Sequence, residues 1–267
     1  DFHKHQVSLS NGQTIECERL LIATGAAPKS LNVPIEESIH TRVTTFRNVS
    51  DFIKLYNLLK ADESSNYRGR NIVVVGGGFL GSELAVSLAR FGSEFGNKIT
   101  QIFPEDGHMG LVFPKYLSQW TTEKVTGLGV NVKSGRSVVS ITKNAEKAEE
   151  IDTNTLRLIL DNGEEIEADH VVIAAGVEPA LNASLHDSLP INEETGGLEA
   201  DQYLRIIPGV FAAGDVVSYP DTVLNCRRRI EHFDHAILSG KLAGQNMARS
   251  LKNDHSLELI PYTNQSM

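Results

Sequence analysis

The sequence is short of cysteine, of basic charge and of long apolar runs. Its two cysteines, Cys17 and Cys226, stand far apart in 267 residues with no C-x-x-C or C-x-x-C-H spacing. That excludes a disulfide framework and a zinc ribbon, and leaves two single thiols in a packed fold as the expectation. The longest apolar stretches, such as IVVVGGGFLG and HVVIAAGV, fall well below the roughly 18 residues that a membrane-crossing helix needs. Lys and Arg total 25 against 34 acids, and a net charge of −9 argues against a chain whose main task is neutralising phosphate backbones. The chain opens at Asp1 with neither methionine nor an apolar leader, running directly into HQVSLSNG. We therefore expect it to begin inside a domain, and its cellular location is not written at its end.

What is present is an ordinary core-forming mixture, 40% hydrophobic and 22% charged, of a size for one large or two medium domains. Within it one passage is written twice. LSNGQTIECERLLIATGAAP, Leu9 to Pro28, recurs as LDNGEEIEADHVVIAAGVEP, Leu160 to Pro179, with Gly12 matching Gly163, Gly25 matching Gly176 and Pro28 matching Pro179.

The first copy reads as a hairpin about Asn11-Gly12 followed by the buried strand LLIAT. An irregular stretch to Asn48 leads to a helical run, DFIKLYNLLKA, with Phe52, Leu55, Leu58 and Leu59 on one face, and then to a polar connector, Asp62 to Arg70. From Asn71 the pattern becomes strand, glycine turn, helix (NIVVVGGGFLGSELAVSLARFGSE), a second strand KITQIFPE, a helix PKYLSQWTTEKVTGLG and a strand VNVKSG. Two antiparallel strands, SVVSITK and TLRLILD, are joined by the charged NAEKAEE. After the second copy come an Asp-, Glu- and Gly-rich loop, a strand GVFAAG and a long helix near His235 to Leu251. Strands alternating with helices around a glycine turn predict a doubly wound α/β architecture. Each repeated passage then reads as the exit strand of one nucleotide-binding module, with small residues where backbone must approach a ligand. Only one glycine-rich entrance is visible, at Gly76, and it feeds the exit at Gly176. We therefore expect two interleaved Rossmann-like domains with β-meander insertions, the first of them incomplete.

Gly76-x-Gly78-x-x-Gly81 follows four apolar residues and opens a helix, the context that gives this fingerprint meaning. Gly76 permits the tight turn, Gly78 the approach of a pyrophosphate, and Gly81 close packing of helix on strand. The acid of the fingerprint, roughly 20 residues on, is Glu105, placed to bind ribose hydroxyls and repel a 2′-phosphate, so NAD is preferred to NADP. VFAAGD, Val210 to Asp215, can set a carboxylate on a ribityl or ribose hydroxyl. From the residues alone Phe79 reads as packing and Glu83 as a helix-surface charge.

LLIATG, GGGFLGSE, VVIAAG and VFAAGD, in this order, resemble the hallmarks of the two-dinucleotide-binding flavoprotein superfamily. TRVTTFR, GGGFLGSELA, IFPEDGHMG, PKYLSQWTTEKV, RRRIEHFDHAILSGKLAGQNM and PYTNQS are similar to its apoptosis-inducing factor family. The resemblance implies FAD and NAD as cofactors. It puts Arg42 on the FAD pyrophosphate, Asp215 on the ribityl chain, and His232 with Phe233 at the isoalloxazine end. It puts Gly77, Gly78, Phe79 and Leu80 on NAD, Glu83 and Glu231 near the nicotinamide, Glu105 at the adenosine ribose and Gly176 on the nicotinamide side. Residues 1–28 would be the remainder of the first half of an FAD-binding domain, 29–177 an NAD-binding domain, 178–258 the returning FAD part and 259–267 the start of a truncated C-terminal domain. Leu111, Phe233 and Thr263 depart from the Lys, His and Trp of the family's human-like members.

By that resemblance the activity is hydride transfer from NADH to FAD with no side-chain nucleophile, Phe79, Glu83 and Glu231 serving to position nicotinamide and flavin. This stretch by itself is expected to be inactive. The resemblance also implies redox-gated partner binding: an NADH-linked homodimer, a mitochondrial import or oxidative-folding partner, and a nuclease partner. The localisation it implies is the mitochondrial intermembrane space and inner membrane, with release to the nucleus. The DNA binding it carries is disfavoured here by the charge of −9. Arg227, Arg228 and Arg229 form a candidate contact strip, with plain solvation as the competing reading. A ferredoxin-type or disulfide reductase of the same superfamily is the alternative enzyme.

Overall fold

In the computed structural model the chain divides into two units, residues 28–177 and residues 1–27 with 178–267. The structure describes residues 4–60, 69–144, 155–251 and 258–263. The connector read at 62–70 and the charged stretch at 144–150 lie mostly outside these.

The central unit is built on five parallel strands: β1 (Val43–Thr45), β2 (Asn71–Val75), β3 (Lys98–Phe103), β4 (Val130–Ser134) and β8 (His170–Ile173), in the order β1-β8-β2-β3-β4. Three further strands, β5 (Val138–Lys143), β6 (Leu156–Leu160) and β7 (Glu165–Ala168), form an antiparallel meander. The run Ile72-Val73-Val74-Val75 is buried throughout because each face of β2 is covered. Ile72 and Val74 pack with Leu55, Leu59, Leu84 and Leu88 of helices α1 (Val49–Leu59) and α2 (Phe79–Gly92). Val73 and Val75 pack with Ile141, Leu156 and Leu158 of the meander. Helix α3 (Lys115–Gly127) joins β3 to β4.

The irregular stretch before Asn48 contains a strand that its short, Thr-containing sequence did not announce, because β1 is an edge fixed by pairing Val43 with Val171. Helix α1 begins at Val49, earlier than its apolar pattern suggests. Asn48 caps it, its Oδ1 accepting the Asp51 N–H at 3.1 Å while Asp51 Oδ2 accepts the Asn48 N–H at 3.0 Å. Phe52 is not on the buried face; it is exposed and stacks on Tyr56.

In the other unit the opening hairpin pairs Gln6–Ser8 with Thr14–Glu16, and the turn between them has Gly12 at φ 85°. Leu20–Ile22 runs parallel to Val210–Ala212, so the first exit strand and the GVFAAG strand lie side by side. The Asp-, Glu- and Gly-rich loop holds a short helix α4 (Ala183–Ser188), capped by Asn182. Helix α5 (Phe233–Leu251) covers a core of Phe211, Val217, Tyr219 and Ala243. Its buried Asn246 accepts the Ile260 N–H at 2.8 Å and donates to the Ile260 carbonyl at 2.8 Å.

Candidate functional site: the glycine turn and the elements around it

Steric contacts state why each glycine of the turn after β2 is a glycine. Gly76 has φ 130°, and a Cβ there would stand 2.2 Å from the Ala174 carbonyl oxygen, at the end of the second exit strand. A Cβ on Gly77 would meet the Phe103 ring at 2.4 Å, and one on Gly81 the Gly76 carbonyl oxygen at 2.2 Å. Gly78 differs: its φ of −75° suits any residue, and nothing lies within 4 Å of a Cβ there. Gly78 is the N-cap of α2, whose N-terminus no side chain caps. The turn is therefore jammed on three sides and open on the one where helix N–H groups and the positive end of the helix dipole point outward.

Around this opening stand several of the residues singled out from sequence. Phe79 is 53% exposed, edge-on to Phe113 at 5.8 Å between ring centres. The packing role read from its sequence context does not hold. Leu80 and Glu83 are also exposed, Glu83 one helical turn beyond Phe79. Glu105 is half-buried just past the end of β3, which stops at Phe103, and its carbonyl accepts the Gly135 N–H at 2.8 Å. Gly176 follows Ala174 and Ala175 with φ 89°, its carbonyl accepting the Lys29 N–H at 3.0 Å. Arg42 is elsewhere. It precedes β1 and lies beside His170 at the amino ends of the strands, whereas Gly76 follows the carboxyl end of β2. Burial, then the charges of Arg42 and Arg70, push the His170 pKa down to about 4.

In the other unit Asp215 is half-buried in a 3₁₀ turn, Gly214–Val216, at the end of the GVFAAG strand. The Gly214 N–H is bonded to Ser239 Oγ of α5 at 2.9 Å. Glu231, His232 and Phe233 lead into α5; the His232 and Phe233 rings are 4.6 Å apart and Phe233 is exposed. Arg229 holds this group together, donating to the carbonyls of Thr195 at 2.8 Å and Asp215 at 3.3 Å and pairing with Glu231 at 2.7 Å.

The arginine strip is thereby corrected. Arg227 bonds to the carbonyls of Ala200 and Ser218, Arg228 to Asp221, and Arg229 as above, so all three guanidiniums are engaged within their own unit. Cys17 and Cys226 are free thiols, and Cys226 is exposed rather than packed. Among the described residues no cluster of three or more His, Cys, Asp or Glu is placed to hold a metal, and no helix is long and apolar enough to cross a membrane. Two residues of the glycine-turn site escaped sequence reading, Gln101 and His108, both fully buried. The legible signal was a glutamine inside the apolar strand KITQIF, which must find a partner there.

A model of the pyridine nucleotide-disulphide oxidoreductase family matches residues 1–240. The mitochondrial apoptosis-inducing factor 1 of Dictyostelium discoideum is 38% identical over 242 residues, covering 91% of this chain and 43% of that protein. A putative mitochondrial apoptosis-inducing factor 1 of Drosophila melanogaster is 37% identical over 270 residues, covering 100% and 33%. A chloroplastic/mitochondrial monodehydroascorbate reductase of Arabidopsis thaliana is 29% identical over 265 residues, covering 98% and 49%. The chain thus spans less than half the length of these relatives. A ferredoxin reductase from Rhodopseudomonas palustris superposes with a TM-score of 0.77 at 21% identity, over 98% of this chain and 59% of that one. The water-forming NADH oxidase from Lactobacillus brevis bound to NADH gives 0.77 at 23%, over 92% and 51%. These likenesses carry the α/β fold. With the glycine turn, the acid beyond β3 and the match over most of its length, the chain belongs to the pyridine nucleotide-disulphide oxidoreductase family, whose cofactors are FAD and NAD(H).

Proposed function

We propose that this chain is the dinucleotide-handling part of an NADH-oxidising FAD flavoprotein. The observation that carries the reading is the contrast at the glycine turn, crowded at Gly76, Gly77 and Gly81 and open at Gly78 over an uncapped helix start. That cradle fits a pyrophosphate: backbone N–H groups are its natural donors, and a Cβ at Gly78 is what a close-lying phosphate would meet. When bound, NADH supplies a hydride and FAD accepts it.

The chain's own residues bind and orient. Gly76, Gly77, Gly78, Phe79, Leu80 and Gly81 hold the dinucleotide at the start of α2. Glu105 accepts from the adenosine ribose hydroxyls and its charge repels a 2′-phosphate, which selects NAD over NADP. Exposed Phe79 would position the nicotinamide and flavin for hydride transfer, and Glu83 would hold the carboxamide. Gly176 lets backbone approach on the nicotinamide side. In the other unit Asp215 serves the ribityl hydroxyls, Glu231 the nicotinamide, and His232 with Phe233 the isoalloxazine end. Arg42, at the amino ends of its strands and away from the glycine turn, would take the FAD pyrophosphate by the family resemblance alone. The three stretches either side of the unit divisions, 1–28, 29–177 and 178–258, correspond to an NAD domain set within an FAD domain, with 259–267 opening a third. The test is anaerobic bleaching by NADH of the FAD-loaded full-length protein of which this chain is the proposed dinucleotide-handling part. A flavin that NADH leaves oxidised is incompatible with the proposal.

A second reading, partner binding gated by NADH, is favoured by the exposed apolar side chains Leu111, Val112, Tyr116 and Trp120, which follow Glu105 in sequence. Its test is sedimentation with and without NADH; an unchanged mass counts against an NADH-linked homodimer. Mitochondrial placement and roles in respiratory biogenesis and cell death rest on the relatives' names and on the family resemblance. A ferredoxin-type reductase is the alternative enzyme, separable by whether reduced flavin passes electrons to a ferredoxin.

A further inference from the structure

A continuous buried hydrogen-bond chain runs from α3 to the glycine turn. Ser118 Oγ donates to the His108 carbonyl at 2.8 Å, and the His108 N–H donates to Thr122 Oγ1 at 2.9 Å. The ring of His108 meets Thr122 Oγ1 through Nδ1 at 3.0 Å and Gln101 Oε1 through Nε2 at 2.9 Å. Gln101 Nε2 donates to the Gly76 carbonyl at 2.9 Å. Gln101 and His108 are both fully buried, and the next residue, Met109, donates its N–H to the Gly77 carbonyl at 2.7 Å.

The chemistry fixes the directions from Gly76 through Gln101 to His108. The Gly76 carbonyl only accepts, so the Gln101 amide must present its NH₂ group there and its oxygen to His108. The oxygen needs a donor, so His108 carries its proton on Nε2, and Nδ1 faces the Thr122 hydroxyl, whose single proton also has the Ser118 carbonyl at 2.9 Å. An amide turned the other way would set two acceptors face to face at Gly76. We propose that His108 and Gln101 are positioning residues for the dinucleotide: His108 locks the Gln101 amide, and the amide holds the Gly76 carbonyl so that the turn keeps its open side toward a phosphate. Neither side chain touches the dinucleotide. They act on the same carbonyl that presses against Gly81, so a slip at Gly76 moves the start of α2.

This inference rests on the reading of the turn as an NAD site and deepens it. The experiment is calorimetric titration of NAD⁺ into the full chain carrying Gln101→Glu, Gln101→Leu, His108→Leu, His108→Gln and the His108→Leu/Gln101→Leu pair, each with its melting temperature. Gln101→Glu is nearly isosteric and loses its donor once ionised; because burial favours the protonated acid, the titration is run well above neutral pH, where this variant is expected to bind NAD⁺ about tenfold more weakly. His108→Gln restores a donor and binds more tightly than His108→Leu. The pair is no weaker than Gln101→Leu alone, because both residues act through one carbonyl. Asn48→Ala removes a helix cap whose side chain is bonded to Ser50 and Asp51 and not to this network; it lowers the melting temperature and leaves NAD⁺ affinity unchanged. Wild-type affinity in Gln101→Glu and His108→Leu would overturn the proposal, as would affinity that tracks melting temperature across all variants, Asn48→Ala included. If Gly78→Ala weakens NAD⁺ binding while Gln101→Glu does not, the positioning role fails and the NAD site stands. A wild-type chain that takes up no NAD⁺ removes both.

Discussion

The Gly76 carbonyl oxygen lies 2.2 Å from the point where a Cβ on Gly81 would stand, so the turn after β2 and the first turn of α2 are pressed backbone to backbone. Gly81→Ala must push them apart. We expect a loss of about 1–3 kcal/mol, the usual cost of forcing a methyl group into a filled site, visible as a lowered melting temperature. Gly244→Ala is the opposite case. Gly244 lies within α5 with nothing inside 4 Å of an added Cβ, and the substitution should stabilise by about 0.5–1 kcal/mol. Equal effects at the two positions would show that the Gly81 contact is not tight.

In the proposed site Glu105 is the acid assigned to the adenosine ribose. Glu105→Ala should weaken NADH binding by roughly tenfold, about 1.4 kcal/mol, and narrow the preference over NADPH. Unchanged NADH affinity would remove Glu105 from the site.

His108 and His170 give the central unit an acid sensitivity. Burial comes first for both, with Arg42 and Arg70 adding at His170, and each pKa is pushed from 6.5 down to about 4. The native state therefore binds fewer protons than the unfolded chain between these values. The stability contributed by the neutral rings is complete above pH 6.5 and is lost as pH falls toward 4. Melting temperatures should fall across that window, and less steeply for His170→Gln. A flat profile would show that the rings are already solvated.

Asn48 and Asp51 cap α1 reciprocally, and the hydrogen bonds from the Asn48 and Arg47 N–H groups hold the Asp51 carboxyl below the usual range. Asn48→Ala should cost about 1 kcal/mol, read by chemical denaturation. A change within error would mean that solvent satisfies the helix end.

What the sequence displayed was mostly local. Strand, turn and helix around Gly76 follow from an apolar run and three glycines, and the doubled exit passage follows from simple repetition. Long-range pairing was hidden. Val43–Thr45 is a strand only because β8 lies beside it, and Arg227, Arg228 and Arg229 look like a free basic strip until the carbonyls of Ala200, Ser218 and Thr195 fold around them. Local pattern alone points Phe79 and Phe52 to packing, and both are exposed. His108 sits in a loop where nothing in PEDGHMG announces that its ring will reach a glutamine on β3.

The most direct test of the whole account is Gly78→Ala, read twice. Its backbone angles suit alanine and the added methyl meets nothing, so stability should fall by no more than about 1 kcal/mol, the cost of alanine for glycine at an N-cap. NADH affinity should nonetheless drop by about tenfold or more, because the methyl occupies the approach to the helix N-terminus. A Gly78→Ala protein that binds NADH as tightly as wild type would contradict the assignment of this turn as the dinucleotide site.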